Sequence, residues 1–454
     1  MHFVNRLPLT EDSCYEITKL ELRSDEDHEI IDDDLAHILP YCPNLEFVSL
    51  SGVPDLTDRT VIILAHTAPL LRELDLSGCT QVTDLSIGEL VSVATDLEVV
   101  RLNGIKMLTD SSVSTLARCL VNLLELELSD LPLLTPASIR DIWTFSMKLQ
   151  RLKLAGCIYL TDKAFPSSSR SSIAISGTPA SAQTPSRTSN NIPSSNSIKQ
   201  PAWPENMPPL LFSSAHKLSN LRVLDVSHCA RLTDAAIAGI VAHAPRIRDI
   251  NLSDCTALTD AAAEAVATLG SRLTVLAMAR VDRLTDRGIV GIVRACTKLK
   301  SVDASFNPLL TDLAVLELVT LPLLQRLSIA GLSHLTDNAL LFLAEHAPSL
   351  ERLHLSHCRN LSLDAIHVVL QKLTKLEHLS ASSVPALKRV GVERFSERPP
   401  RDYSRSKQGV YRVFLGDNIQ ALAKFLDKEQ ARRRAAEEKN VIFVPRADDS
   451  LDLY

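Results

Sequence analysis

Aromatic residues make up only 4% of this 454-residue chain. A core organised around stacked rings is therefore excluded, and burial has to rest on aliphatic side chains. Glycine is scarce at 14 residues, and no Gly-rich run of the kind that cradles phosphate occurs. Basic residues are not in excess: 48 Lys and Arg stand against 54 Asp and Glu, a net charge of −6. The footprint of a nucleic-acid binder is missing. No apolar stretch approaches the length of a membrane span. The run Met1 to Arg6 starts no signal peptide, because no long apolar segment follows it. The nine cysteines contain no Cys-x-x-Cys pair, and their odd number points to reduced thiols in the cytoplasm or nucleus. Neither His-Glu-x-x-His nor Gly-x-Ser-x-Gly is present. Nothing supports catalysis, and no cofactor or metal is expected.

What the chain has instead is a repeated tripeptide. Leu-Thr-Asp or a close variant stands at Leu56-Thr57-Asp58, Val82-Thr83-Asp84, Leu108-Thr109-Asp110 and Leu160-Thr161-Asp162. It resumes at Thr233, Thr259, Thr285, Thr311 and Thr336, with Thr135-Pro136 and Ser362-Leu363 as variants. A fixed period, here 26 residues for most intervals, marks a solenoid, whose extended surface usually binds a partner.

Each unit opens with Leu-x-x-Leu-x-Leu, as in Leu71–Leu76, Leu149–Leu154 and Leu350–Leu355. Its closing alternation is that of a strand. A turn such as Ser-Gly-Cys follows, then the tripeptide, then about ten residues with helical spacing, shown by Ile87, Leu90, Val91 and Ala94. The Thr hydroxyl is placed to cap the helix, and the Asp sits at its first position, where it favours the dipole. The variants agree: proline suits that first position, and Ser362 keeps a capping hydroxyl. Prolines after Cys42, Ala68, Ala244 and Ala347 then stop the helix. The fold class predicted is α/β: a leucine-rich-repeat solenoid, a ribonuclease-inhibitor-like horseshoe with a parallel inner sheet and outer helices. Thirteen strands, from the one near Ile17 to the one near Leu376, would give an inner surface on the order of 60 Å long.

The domain reading follows the period. Residues 1–44 form an N-terminal cap and first repeat, and 45–165 a block of repeats. Residues 166–209 are a Ser/Pro-rich insert read as disordered and as a tolerated surface insertion; the competing regulatory reading takes Thr178-Pro179 and Thr184-Pro185 as proline-directed phosphorylation sites. Repeats resume over 210–391, followed by a C-terminal cap over 392–427 with an amphipathic helix near Ile419–Leu426. A charged tail over 428–454 contains Arg432-Arg433-Arg434, read as a solvated helix rather than a nuclear signal.

Cys79, Cys157, Cys229, Cys255 and Cys358 share one repeat position, which elsewhere holds Val53, Ile105, Leu131 and Val281. Equivalent positions lie in a line one strand apart, whereas zinc needs four ligands in a tetrahedron. The position reads as a small buried apolar site. The residues flanking the buried strand leucines should line the concave side. Lys19, Arg23, Arg101, Arg151, Lys153, Arg326, Arg352, His354 and His378 give it basic stretches. Glu73, Asp75, Glu125, Glu127, Asp225, Asp249 and Asp303 are interspersed, with small residues such as Ser227, Ser253, Ala277, Ala279, Ser328 and Ser380 between. The candidate partner-binding set is Arg101, Arg151, Lys153, Arg326, Arg352, His354 and His378. Arg326, Arg352 and His354 form its best anion contact.

The repeats with Ser-Gly-Cys and Leu-Thr-Asp resemble the cysteine-containing leucine-rich repeats of F-box proteins. The resemblance is to the fungal glucose-repression-resistant type. It is carried by Phe3-Val4-Asn5-Arg6-Leu7, Ile139-Arg140-Asp141-Ile142-Trp143, Leu370-Gln371-Lys372-Leu373 and Arg398-Pro399-Pro400-Arg401-Asp402-Tyr403. It extends from Phe3 to about Leu426, and the insert after Ala164-Phe165-Pro166 falls where that family tolerates one. The resemblance implies the substrate-recognition subunit of an SCF-type ubiquitin ligase, directing proteins, often phosphorylated, to ubiquitin-dependent degradation. The protein substrate would lie on the concave face. A Skp-type adaptor and a cullin are implied partners only with an F-box upstream, and none precedes the first repeat in this sequence. The competing expectation is an F-box-less scaffold or inhibitor in cell-cycle signalling. An enzyme using the insert as a lid is the third class. No membrane or nucleic-acid partner is expected.

Overall fold

The computed structural model describes residues 2–4, 14–22, 31–53, 55–167 and 207–443. They form one sheet of fifteen short strands in chain order. Thirteen are the strands that the leucine phase marks, from Lys19–Glu21 to His378–Ser380. They run parallel and in register, so Glu73, Val99, Glu125 and Arg151 stand in one row. Two strands lie beyond the expected thirteen. His2–Val4 adds in parallel at one end, and Val413–Leu415 pairs antiparallel with His378–Ser380 at the other.

The middle residue of each of the thirteen repeat strands is buried, as with Leu74, Leu126, Leu224 and Leu353. It joins the apolar face of the following helix, for example Val61 and Leu64 of Asp58–Thr67 or Ile87 and Leu90 of Asp84–Val93. One continuous aliphatic cluster results. Successive helices pack against each other behind the sheet. Helices are about 10 Å across whereas strands are spaced about 4.8 Å apart, so the sheet becomes the inner, concave side.

Between strand and helix the chain turns through a left-handed residue. It is Gly52, Gly78, Gly104 and Gly156 early on, with φ between 71° and 79°, and Asp130 at 58° between the last two. This conformation aims the N–H along the solenoid, as from Gly78 to the carbonyl of Asn103 at 2.7 Å. Later turns keep the conformation without the glycine, at His228, Asp254, Arg280 and Phe306. A side chain there costs roughly 1–2 kcal/mol.

The tripeptide has a second role that the helix-cap reading did not contain. Thr83 does cap its helix, accepting from the Leu85 N–H at 3.3 Å. Thr109, Thr233, Thr259, Thr311 and Thr336 do the same, while Thr57 and Thr285 do not. Each Asp is the first residue of its helix, but its carboxylate also reaches the next repeat. Asp58 accepts the Thr83 N–H at 2.8 Å and the Thr83 hydroxyl at 2.6 Å. Asp260 holds Thr285 at 2.8 and 2.6 Å, and Asp286 holds Thr311 at 2.9 and 2.7 Å. The third helical residue abuts this carboxylate and is small, as with Ser138, whose hydroxyl donates to Asp110 at 2.6 Å. At Gly288 an added Cβ would meet Asp260 Oδ1 at 2.6 Å.

Pro136 stands where such an Asp would hold Thr161. Thr161 makes no cap bond and opens only a 3₁₀ turn, Asp162–Ala164. The insert leaves from this repeat. Its ends meet at a bridge between Pro166 and Leu210, and the Ser167 N–H donates to Leu210 O at 2.8 Å. Pro166 crosses the helix Asp234–His243 so closely that a Cβ on Gly239 would lie 1.6 Å from its carbonyl oxygen. Asp162 still holds Thr233 across the interruption, 71 residues on. Most of the 166–209 insert, with Thr178 and Thr184, lies outside the described residues. So do Arg23 and the segment Asn5 to Leu7.

At the C-terminal end Phe414 is fully buried against the last repeat. Arg412 is buried too; its Nε donates to Leu387 O at 3.0 Å and its guanidinium meets Glu393 at 3.4 Å. The helix expected near Ile419–Leu426 spans Asp417–Glu438 and so crosses position 427. Its Asp427 accepts from His367 at 2.8 Å and from Gln371 at 2.7 Å. Arg432, Arg433 and Arg434 lie within this helix.

Candidate partner-binding face

Strand residues on either side of the buried one point away from the helices and form two parallel rows. The outward rows contain the whole candidate set, but the structure divides it into two groups. Arg101 lies among three carboxylates, Glu125 at 3.3 Å, Glu127 at 3.8 Å and Glu73 at 3.9 Å. Arg151 pairs with Glu125 at 2.9 Å, and Lys153 with Glu127 at 2.7 Å. Asn103 donates to Glu127 at 3.0 Å. Burial pushes the Glu127 carboxyl up. Hydrogen bonds from Lys153 and Asn103, with the charges of Lys153 and Arg101, more than offset this and hold it below the usual carboxylate range. Arg101, Arg151 and Lys153 thus neutralise the protein's own acids. Alternation along a strand shows which face a charge is on, not which charge lies beside it.

Arg326, Arg352, His354 and His378 form the second group. Arg326 and Arg352 are register partners on adjacent strands, as are Arg352 and His378. Both arginines are exposed, and neither makes an ion pair or side-chain hydrogen bond among the described residues. The rings of His354 and His378 stack with centroids 4.9 Å apart and planes at 22°. Burial and the nearby Arg352 charge lower both imidazoles, against a smaller upward pull of Asp303 on His354. His378 is lowered by His354 as well. Both shifts favour the neutral imidazole, so the standing positive charge here is chiefly that of the two arginines.

Several interspersed acids hold turns. Asp75 accepts the Ser77 N–H at 2.9 Å and Asp303 the Ser305 N–H at 3.0 Å. Asp225 accepts both the N–H and the hydroxyl of Ser227, at 2.9 and 2.7 Å. Asp249 accepts the Thr274 hydroxyl at 2.8 Å.

The cysteine position is buried, as read, but it is not purely apolar. Cys79 donates to Leu50 O at 3.1 Å, Cys157 to Leu128 O at 3.1 Å and Cys255 to Val226 O at 3.2 Å. Asn307 occupies the equivalent place and does this more fully. Its amide donates to Met278 O and Ala304 O, both at 2.9 Å, and accepts from the Val281 N–H at 2.7 Å. Burial pushes the thiols of Cys79, Cys157 and Cys255 up to about 12. Among the described residues no His, Cys, Asp and Glu cluster is arranged to hold a metal.

Fold geometry and a family match agree at this point. The family described as Leucine Rich repeat matches residues 217–241, which cover a strand, its turn and most of its helix. The chain is a leucine-rich-repeat solenoid. Similar solved structures include the following two. One, the Rad7 and Elc1 complex in yeast, matches at a TM-score of 0.46 and 17% identity over 73% of this chain and 81% of that chain. The other, an internalin (inlF) from Listeria monocytogenes, matches at 0.44 and 18% identity over 75% of this chain and 82% of that one. No described helix of the solenoid is long and apolar enough to cross a membrane.

Proposed function

We propose that this leucine-rich-repeat protein is a substrate-recognition subunit of an SCF-type ubiquitin ligase, working in the cytoplasm or nucleus. In this reading it binds rather than catalyses. Its concave face takes an anionic, often phosphorylated, segment of the protein to be degraded. The observation that supports the reading is the adjacent pair Arg326 and Arg352, exposed and without ion pairs among the described residues, on a sheet face where Arg101, Arg151 and Lys153 are all paired. Two unpaired guanidinia one strand apart suit bidentate recognition of phosphate or carboxylate. The alternative is an F-box-less scaffold or inhibitor in cell-cycle signalling, which would use the same face without a Skp-type adaptor or cullin.

Affinity purification of the product of the full gene, with any F-box encoded upstream, separates the two. Recovery of adaptor and cullin is expected of the receptor, and their absence favours the scaffold. On the face itself, Arg326→Glu with Arg352→Glu should abolish capture of phosphorylated proteins that the unaltered chain retains. Equal capture by both would remove these residues from the site.

A further inference from the structure

Most turns of the second half carry large side chains, where the first half has glycine at every left-handed turn but Asp130. His228, Asp254, Arg280, Phe306 and His357 all hold φ between 55° and 65°. Glycine adopts that conformation without a steric penalty, so each side chain is kept at a cost in stability. Their contacts run without a break along the edge of the sheet. His228 Nδ1 lies 3.5 Å from Asp254, and Asp254 lies 3.9 Å from Arg280. The Arg280 guanidinium lies over the Phe306 ring, 4.9 Å from its centre. The Phe306 and His357 ring centres are 5.8 Å apart.

Phe306 reaches His357 by crossing an intervening repeat. That repeat keeps glycine at the turn, Gly331, and a Cβ there would lie 2.3 Å from Phe306 Cδ1. The single glycine of this stretch is thus the one whose absence would displace the ring. Phe306 remains 37% exposed, which leaves an apolar surface at the centre of the ridge.

The charge beside the ridge is mainly positive. Arg231, Arg283 and Arg359 lie within three residues of ridge positions and are exposed; of the further carboxylates equally near, Asp282 is exposed, while Asp225 and Asp303 are half-buried and hold the Ser227 and Ser305 turns. Arg231 lies over Tyr159, 5.4 Å from the ring centre. Arg283 and Arg359 make no ion pair or side-chain hydrogen bond among the described residues.

We propose that this ridge is a second docking edge, distinct from the concave face, and that its occupant is an acidic segment of a partner protein carrying an apolar anchor. The anchor covers Phe306, and the carboxylates meet Arg280, Arg283 and Arg359. Exposed aromatic and arginine side chains are the types that dominate interface energetics, and the charge excess selects an acidic partner. The inference stands whether or not Arg326 and Arg352 bind phosphorylated substrates.

The test uses a fluorescein-labelled peptide of glutamates with one central leucine, titrated into the full chain and followed by anisotropy. Saturable binding that weakens with salt is expected. Arg280→Glu should reduce affinity at least tenfold. Phe306→Gly, which keeps a residue at ease with the left-handed turn, should reduce it several-fold with the far-UV spectrum unchanged. Arg326→Glu with Arg352→Glu should leave it unaltered. Absence of binding, or affinity unaffected by the two ridge variants, overturns the proposal. So does a loss confined to the Arg326 and Arg352 variant, which would place the peptide on the concave face.

Discussion

The carboxylate of Asp58 receives both hydrogen-bond donors of Thr83, the N–H at 2.8 Å and the hydroxyl at 2.6 Å. The two residues lie one repeat apart, so the contact joins neighbouring units rather than closing a helix upon itself. The Thr both caps its own helix and is held by the preceding one, and each repeat fixes the angle at which the next departs. A solenoid has no global core to impose this, since stability comes from nearest-neighbour interfaces.

Asp260→Ala removes both bonds to Thr285 and should destabilise the protein by about 2 kcal/mol, given charged acceptors at partly exposed sites. Asp260→Asn retains one acceptor and should cost about half as much. Urea unfolding gives the size, and hydrogen exchange at the Thr285 amide locates it. An unchanged midpoint for Asp260→Ala would mean that the clamp is incidental.

Eight of the nine cysteines are buried, and Cys119 alone is exposed. With several thiols pushed up to about 12, thiolate is nearly absent from the native core at pH 8, and thiolate is the reacting form. A disulfide-exchange reagent should titrate one thiol quickly in native protein and the remainder on unfolding. Cys119→Ser should remove the fast phase. Fast reaction of several thiols in native protein would contradict the buried ladder.

Stability should fall in acid. Asp58 is pushed up by burial, but hydrogen bonds from Ser86 and Thr83 outweigh this, so its carboxyl lies below the usual range. Glu127 is lowered as well. For groups depressed on folding, the contribution is complete above the unfolded values, about 3.9 for Asp and 4.3 for Glu, and is lost as pH drops through the folded values. His354 and His378 are also lowered. Their unfolded forms take up protons first, so they subtract stability as pH falls below about 6.5. Thermal scans should show a small decline below about pH 6.5 and a steep one below about pH 4. Substituting both histidines with Gln should reduce the first decline to the share of His243, which burial also lowers, and leave the second.

Lys153→Ala should cost about 1–2 kcal/mol, because it strips the nearest cation from Glu127, whose side chain is only 9% exposed,. The loss should shrink in the Glu127→Gln background. If Lys153 instead affects partner capture and not stability, its place in the internal network is wrong.

Gly239→Ala should expel Pro166 from its place across the helix Asp234–His243, since the added carbon would sit 1.6 Å from a backbone oxygen. An overpacking loss of about 1–3 kcal/mol is expected. Faster proteolysis at the base of the insert would mark its site, and unchanged melting would argue against the close crossing.

Much of this was legible in one dimension. Leu-x-x-Leu-x-Leu placed thirteen strands, and the positions of Thr57, Thr83 and Thr109 placed helix starts at Asp58, Asp84 and Asp110. The small residue three places after each Thr was also visible, but its reason was not: it clears space for a carboxylate of the preceding repeat, as Ser138 does for Asp110, 28 residues earlier. Asn307 similarly shows that the cysteine position is a donor site, a fact concealed where Val53 or Ile105 fill it. The closing strand Val413–Leu415 has no repeat phase and gave no signal.

The sequence alone determined the period, the register, the buried face of every repeat strand and the break near residue 166, because these follow from local spacing and side-chain type. Only the tertiary structure decided which charges are open. Stacking brings Arg101 beside Glu125 and Glu127 but sets Arg326 beside Arg352. It also stacks His354 on His378, and it carries Phe306 over Gly331 to His357. Those outcomes depend on what lies one strand away, some 26 residues distant in sequence, where repulsion, pairing and packing act across the repeats rather than along them.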